Sequence, residues 1–105
     1  MKEKIYLSIP ISHLDYYEQK EHAERIERYL ENFYDEVLSP FRNGVDVDSH
    51  VSEHMRADFK MLLECDAIFM CKGWEDSRGC RDEFMVATDC HMEVLYELNH
   101  AEYFR

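Results

Sequence analysis

The chain is poor in cations, has no paired-cysteine motif and has no long apolar run. Twelve Lys and Arg stand against 23 Asp and Glu, for a formal net charge of −11. A surface of that sign repels a phosphodiester backbone at range, so long nucleic acid is not an expected partner. A single nucleotide needs only a few local donors and stays open. The four cysteines, Cys65, Cys71, Cys80 and Cys90, contain no C-x-x-C pair, so neither a zinc knuckle nor a thioredoxin-type redox pair is expected. Cys65, Cys71 and Cys90 lie beside or within apolar runs and read as small buried hydrophobes. No apolar stretch approaches the length of a membrane span, and Met1-Lys2-Glu3-Lys4 leads straight into a strand-like run without the features of a signal peptide. No membrane partner is expected, and a reducing cytoplasm is the expected location. There are no internal repeats and no linker.

What is present reads as one globular domain. The 105 residues include 46% hydrophobic and 13% aromatic side chains, and a domain of this length buries roughly 65% of its extended-chain surface. Ile5-Tyr6-Leu7-Ser8-Ile9 is β-branched and aromatic and predicts a buried strand, ended by Pro10. Ser12-x-x-Asp15 fits a helix start with the serine as cap. Ala23, Ile26, Leu30 and Phe33 then recur at helical spacing, with Glu21, Glu24, Arg25, Glu27 and Arg28 on the wet face, predicting a helix over about 14–33. Residues 36–40 predict a second strand stopped by Pro40, and 41–51, with Asn43-Gly44, a loop. Ser49 or Ser52 is placed to cap a helix whose Met55, Phe59 and Leu62 share one face. Residues 66–71 form a nearly continuous apolar run, suited to the centre of a parallel sheet. A loop over 72–79 holds two of the three glycines. A helix over about 79–91 follows, with Phe84, Ala87 and His91 on one stripe and Glu83, Val86 and Cys90 on the next. Residues 92–96 predict a fourth strand, and the last nine a short packed terminal segment.

The order βαβαβαβ requires right-handed crossovers, hence a parallel sheet with helices on both faces. Ligands of such sheets sit beyond the carboxyl ends of the strands, where the winding reverses. The loops over 8–13 and 72–79 should flank that point. Ser77-Arg78-Gly79 opens a helix directly after a strand, where free amides and the helix dipole favour an anion. Gly79 allows close approach, Ser77 can cap or donate, and Arg78 supplies charge. The same tripeptide also suits an ordinary capped helix. Glu83 lies about one and a half turns further on and reaches the cleft if the first turn faces the sheet edge; otherwise it is a solvated glutamate. Asp58 is either a second cleft acid or a surface acid paired with Arg56 or Arg81. Tyr6 reads as core, with a hydroxyl that needs a partner if buried. Two carboxylates and a phenol around one cleft suit glycosidic bond cleavage: one attacks or stabilises the anomeric carbon while another assists the leaving group. Trp74 could stack on a base or seal a subunit contact. His50-x-x-x-His54 has the spacing of a metal pair, but His50 precedes the helix and no third ligand is evident, so no metal is expected. Cys90-His91 reads as packing, since adjacent helical residues diverge.

Three segments together resemble the nucleoside 2-deoxyribosyltransferase superfamily. They are Lys4-Ile5-Tyr6-Leu7-Ser8-Ile9-Pro10-Ile11-Ser12; Met55-Arg56-Ala57-Asp58 with Leu62-Leu63-Glu64-Cys65-Asp66-Ala67-Ile68; and Gly73-Trp74-Glu75-Asp76-Ser77-Arg78-Gly79-Cys80-Arg81-Asp82-Glu83. The third looks most like a small branch of that superfamily. The resemblance covers about residues 4–96. It implies a flavodoxin-like three-layer sandwich of sheet order 2-1-3-4 and cleavage or transfer at the N-glycosidic bond of a deoxynucleoside or its 5′-monophosphate. By position Glu83 matches the nucleophile, Asp58 the acid that assists the base, and Tyr6 the tyrosine that orients the glutamate. Ser77 and Gly79 match the part that holds the 5′ oxygen or phosphate, with Ser8, Ile9, Arg78 and Trp74 around the ligand. No cofactor is implied, and a homodimer or larger homo-oligomer is. Two departures matter. Ile9 stands where a glycine usually approaches the ligand, and the chain ends soon after the fourth strand. The expectation is therefore a hydrolase rather than a transferase, with a non-catalytic nucleotide-binding or sensing module of the same fold as the alternative.

Overall fold

In the computed structural model, which describes residues 3–98, strand β1 (Lys4–Ser8) sets the layering of the chain. Side chains of a strand alternate between faces. Ile5 and Leu7, continued by Ile9, pack with Ala23, Ile26 and Leu30 of helix α1 (Tyr16–Leu30). Tyr6 packs on the opposite face with Leu62, Ile68, Met70, Cys80 and Ala87. Strand β3 (Ala67–Met70) divides in the same way, and all four of its residues are buried. A sheet covered on both faces explains why these strands read as continuous apolar runs.

Strand β2 (Glu36–Leu38) and strand β4 (Glu93–Tyr96) complete a parallel sheet of order β2-β1-β3-β4. Ser8 stands opposite Met70 in the central pair. Helices α2 (Val51–Leu62) and α3 (Arg78–Asp89) lie on the face opposite α1. The architecture is an α/β three-layer sandwich with the expected strand order. No helix among the described residues is long and apolar enough to cross a membrane.

Several element ends differ from the sequence expectation. Asp15, not Ser12, caps α1, its carboxylate accepting from the Glu18 amide at 3.0 Å. His13 adopts a left-handed φ of 68° between the two, so the chain is still turning at Ser12. Helix α1 ends at Leu30, where the Phe33 and Tyr34 amides both fold back onto the Leu30 carbonyl. Phe33, expected on the core stripe, is 63% exposed. Glu27, expected in water, is buried and paired with Arg42. The cause is a 3-10 turn over Pro40–Arg42, which Ser39 caps by accepting from the Phe41 amide. The turn brings Phe41 edge-on to Tyr16 at 5.2 Å and carries Arg42 across to α1. Pro40 thus begins this turn and is not part of β2.

Helix α2 is capped by His50, whose Nδ1 accepts from the Ser52 amide at 3.1 Å, and by neither Ser49 nor Ser52. Helix α3 ends at Asp89, short of the expected residue 91; His91 turns into the left-handed region at φ 58° and feeds β4. Cys90 is consequently exposed, whereas Cys80 takes a buried place that the sequence reading did not assign. Of the expected terminal segment, Glu97 is buried: its Oε1 accepts from the Lys72 amide at 2.9 Å and pairs with His22 Nε2 at 3.0 Å. Residues 99–105 lie outside the described residues.

The end of α1 is open to a stability test. Ile26 is 0% exposed, so Ile26→Ala should cost about 2–5 kcal/mol in urea unfolding. Phe33→Ala should cost less than about 1 kcal/mol. Equal losses would contradict a helix face that ends at Leu30.

Candidate active site

The winding of the sheet reverses between β1 and β3, and their following loops meet there. The Cys71 amide donates to the Ser8 carbonyl at 2.9 Å, carrying the pairing past the last ladder residue. Gly73 follows with φ 91°, and a Cβ added there would lie 3.6 Å from Pro10 Cγ. The left-handed conformation favours glycine here and opens the 3-10 turn Trp74–Asp76. Ser77 then caps α3, its Oγ accepting from the Cys80 amide at 3.3 Å.

Helix α3 presents Cys80, Glu83 and Ala87 to the sheet, spaced i, i+3, i+7. Glu83 is thus the polar member of a buried stripe, and it is only 5% exposed. Both its oxygens are occupied from β1. Tyr6 Oη donates to Oε2 and Ser8 Oγ to Oε1, each at 2.7 Å. Hydroxyl-to-carboxylate bonds of this length belong to the strong, charge-assisted class. Tyr6 and Ser8 are two residues apart on one strand, so they face the same layer and receive one carboxylate between them.

Asp58 comes to the same place from α2 and is 9% exposed. Its Oδ1 accepts from Asn43 Nδ2 at 2.9 Å. The same Nδ2 lies 3.1 Å from His54 Nδ1. Neither Arg56 nor Arg81 pairs with Asp58; the Arg81 guanidinium instead donates to the Glu75 carbonyl at 2.8 Å.

Burial dominates the electrostatics of this cluster. Loss of solvent pushes the Glu83 carboxyl up to about 7, a rise that the Asp58 charge adds to and the hydroxyls of Ser8 and Tyr6 oppose. Asp58 is also raised, first by burial, against the Asn43 hydrogen bond and His54. The Tyr6 phenol is held well above its ordinary value by burial and by the Glu83 charge. It stays a hydrogen-bond donor. Cys80 is pushed up to about 11 by burial, which keeps the thiol protonated and makes it a poor nucleophile. Two carboxyls of raised pKa in one field, flanked by a neutral phenol, can hold one proton between them and exchange acid and base roles.

Tyr6, Ser8, Glu83 and Asp58 thus converge. The other expected site residues are placed as follows. Ile9 is buried with Ile5 and Leu7 on the α1 face, away from the layer of Tyr6 and Ser8, so its side chain sits in core rather than over Glu83. Ser77 caps α3 at the start of the helix that carries Glu83. Arg78 is exposed in the first turn. A Cβ on Gly79 would meet only Met55 Sδ, at an ordinary 3.7 Å. Trp74 is half-buried and stacks on Phe84, ring centroids 4.9 Å apart. Asn43 and His54 were missed as site residues. The pair Asn43-Gly44 reads first as a turn, and nothing local in the sequence shows a turn amide reaching a carboxylate fifteen residues on.

Two concave surface patches lie apart from the four converging residues. One, of about 370 Å³, is lined by Glu18, Gln19, Glu21, His22, Arg25 and Lys72; the other, of about 340 Å³, includes Cys65, Asp66 and His91. Neither holds Glu83 or Asp58. Among the described residues no group of three or more His, Cys, Asp or Glu could hold a metal ion.

The family model described as a domain of unknown function (DUF4406) matches residues 3–96. No curated protein matches the chain.

The raised Glu83 carboxyl has a stability consequence. A folded-state pKa above the unfolded one favours folding when the group is protonated. The contribution is complete below about 4.5 and is lost as pH rises through about 7. Glu83→Gln, which is always neutral, should therefore gain stability relative to the parent between pH 5 and pH 8, by on the order of 3 kcal/mol. Thermal melts across that range measure it, and a gap independent of pH would show that Glu83 is not buried against its charge.

Proposed function

We propose that this chain, which belongs to the DUF4406 family, cleaves the N-glycosidic bond of a deoxynucleoside or its 5′-monophosphate. The observation that carries this reading is the Glu83 carboxylate, 5% exposed, gripped by the hydroxyls of Tyr6 and Ser8 within the field of Asp58. Each Glu83 oxygen accepts one hydroxyl and keeps a second lone pair. That lone pair attacks the anomeric carbon as its bond to the base nitrogen breaks and the electron pair leaves with the base. Asp58, whose carboxyl is raised by burial, gives a proton to the departing nitrogen. Water then adds to the anomeric carbon, yields a proton to the Asp58 carboxylate, and returns the ester electron pair to Glu83.

Tyr6 and Ser8 fix the attacking carboxylate and keep its charge local. Ser77, Arg78 and Gly79 hold the 5′ oxygen or phosphate at the amide-rich start of α3. One local cation there suits a small phosphate on a chain whose net charge is −11. The same reading includes a cytoplasmic location and a homo-oligomer whose neighbouring copy helps to enclose the ligand. Because Glu83 attacks as a carboxylate while Asp58 acts as an acid, the profile of kcat/KM against pH is bell-shaped, its two limbs belonging to the coupled pair.

A second reading has its own observation. Both Glu83 oxygens already accept hydrogen bonds from β1. A module that binds a nucleotide without turnover would keep this closed arrangement. Chromatography of free base from a panel of deoxynucleosides and their 5′-monophosphates separates the two. Hydrolysis predicts release by the parent chain, reduced to background in Glu83→Ala and lowered about 10²–10⁴-fold in Asp58→Asn. Ligand-induced thermal stabilisation with no base released from any member would favour the binding module and end the hydrolase assignment.

A further inference from the structure

Asn43 Nδ2 carries two hydrogens, and two acceptors stand ready for them. Asp58 Oδ1 lies at 2.9 Å and His54 Nδ1 at 3.1 Å. The orientation of the amide is fixed independently, because the Val45 amide donates to Asn43 Oδ1 at 2.9 Å. An Asn side chain offers two donors on nitrogen and an acceptor on oxygen. With the oxygen turned to a backbone N–H, the nitrogen must face both Asp58 and His54. His54 Nδ1 then stands as the acceptor of the second N–H. His54 and Asp58 are four residues apart on α2, one above the other on the same face. One amide from the loop after the 3-10 turn thus closes over both.

A carboxylic acid carries its hydrogen on one oxygen, and the other stays an acceptor. An N–H donated to Oδ1 makes that oxygen the acceptor and leaves Oδ2 for the hydrogen. We infer that Asn43 is a positioning residue that directs the Asp58 proton to Oδ2, and that His54 holds the amide in the orientation that does so. This inference rests on the reading of Asp58 as the acid that assists the leaving base. It also gives the i, i+4 histidine of the sequence a role that involves no metal. The other charged or titratable groups in the field of Asp58 are Glu83 and Cys80 from α3 and Tyr6 from β1. None of them donates to Oδ1.

The discriminating variant is Asn43→Ser. A serine hydroxyl can still accept from the Val45 amide and so keep the turn, but it is too short to donate to Asp58. The readout is the midpoint of the Asp58 carboxyl in a ¹³C NMR titration, which requires no substrate. Removing a donor from the charged form raises its pKa. The expected result is an upward shift of roughly one pH unit in Asn43→Ser and in Asn43→Ala, with a smaller upward shift in His54→Ala. Base release should slow through kcat, at near-constant KM. An unchanged Asp58 midpoint in folded Asn43→Ser and Asn43→Ala would overturn the inference and leave Asn43 as a turn residue only. If neither variant folds, the parent chain decides: the Asn43 Nδ2 proton resonances must move with the same midpoint as the Asp58 carboxyl, and resonances that ignore it refute the clamp. If no substrate releases base while the midpoints shift as stated, the hydrolase reading fails and the Asn43 contact stands.

Discussion

One buried carboxylate holds the sandwich and the site together. Glu83 receives Tyr6 and Ser8 across separations of 77 and 75 residues, so α3 is fixed to β1 by two strong hydrogen bonds as well as by packing. Left without partners, an ionised carboxylate at that depth would be strongly unfavourable. The hydroxyls offset part of that penalty, and the remainder appears as a carboxyl that titrates near neutrality. The folding penalty of burying this carboxyl and its raised titration are therefore one and the same quantity.

The parallel sheet supplies the rest. Order 2-1-3-4 places the reversal of winding between β1 and β3, and the segments after them are tied by the Cys71 amide donating to the Ser8 carbonyl. The alternation of β1 then sorts its side chains: Ile5, Leu7 and Ile9 to α1, Tyr6 and Ser8 to the α3 side. Ile9, at the position of an expected ligand-facing glycine, lies with the first set. The crowding that a branched residue would cause there does not arise at Glu83, because the pleat turns Ile9 to the other layer.

Much of this was legible in the residues. The strand and helix order followed from periodicity and from Pro10 and Pro40. Glu83, Asp58 and Tyr6 stand out together only through the family resemblance of three segments; taken singly they read equally as a solvated glutamate, a surface acid and a core tyrosine. The ends of elements were less legible, since a cap depends on local backbone: Asp15 and His50 won over nearby serines that also fit the pattern. Glu27 looked solvated because its partner, Arg42, arrives from a turn that periodicity does not reveal. Asn43 was hidden for a related reason. Its amide reaches Asp58 and His54 only after α2 has docked, and a turn signal in sequence carries no information about what the turn leans on.

Ser77 caps α3 and Glu83 lies within it, which makes the helix a ruler. Six residues at about 1.5 Å each set the two backbone positions roughly 9 Å apart along the axis. That interval fixes how far the capped end of the helix stands from the residue that reaches β1. It also fixes an angle, because each inserted or deleted residue would swing Glu83 by about 100° and take it away from β1. The stretch between them, with Cys80 buried in its midst, is therefore closed to any change in length.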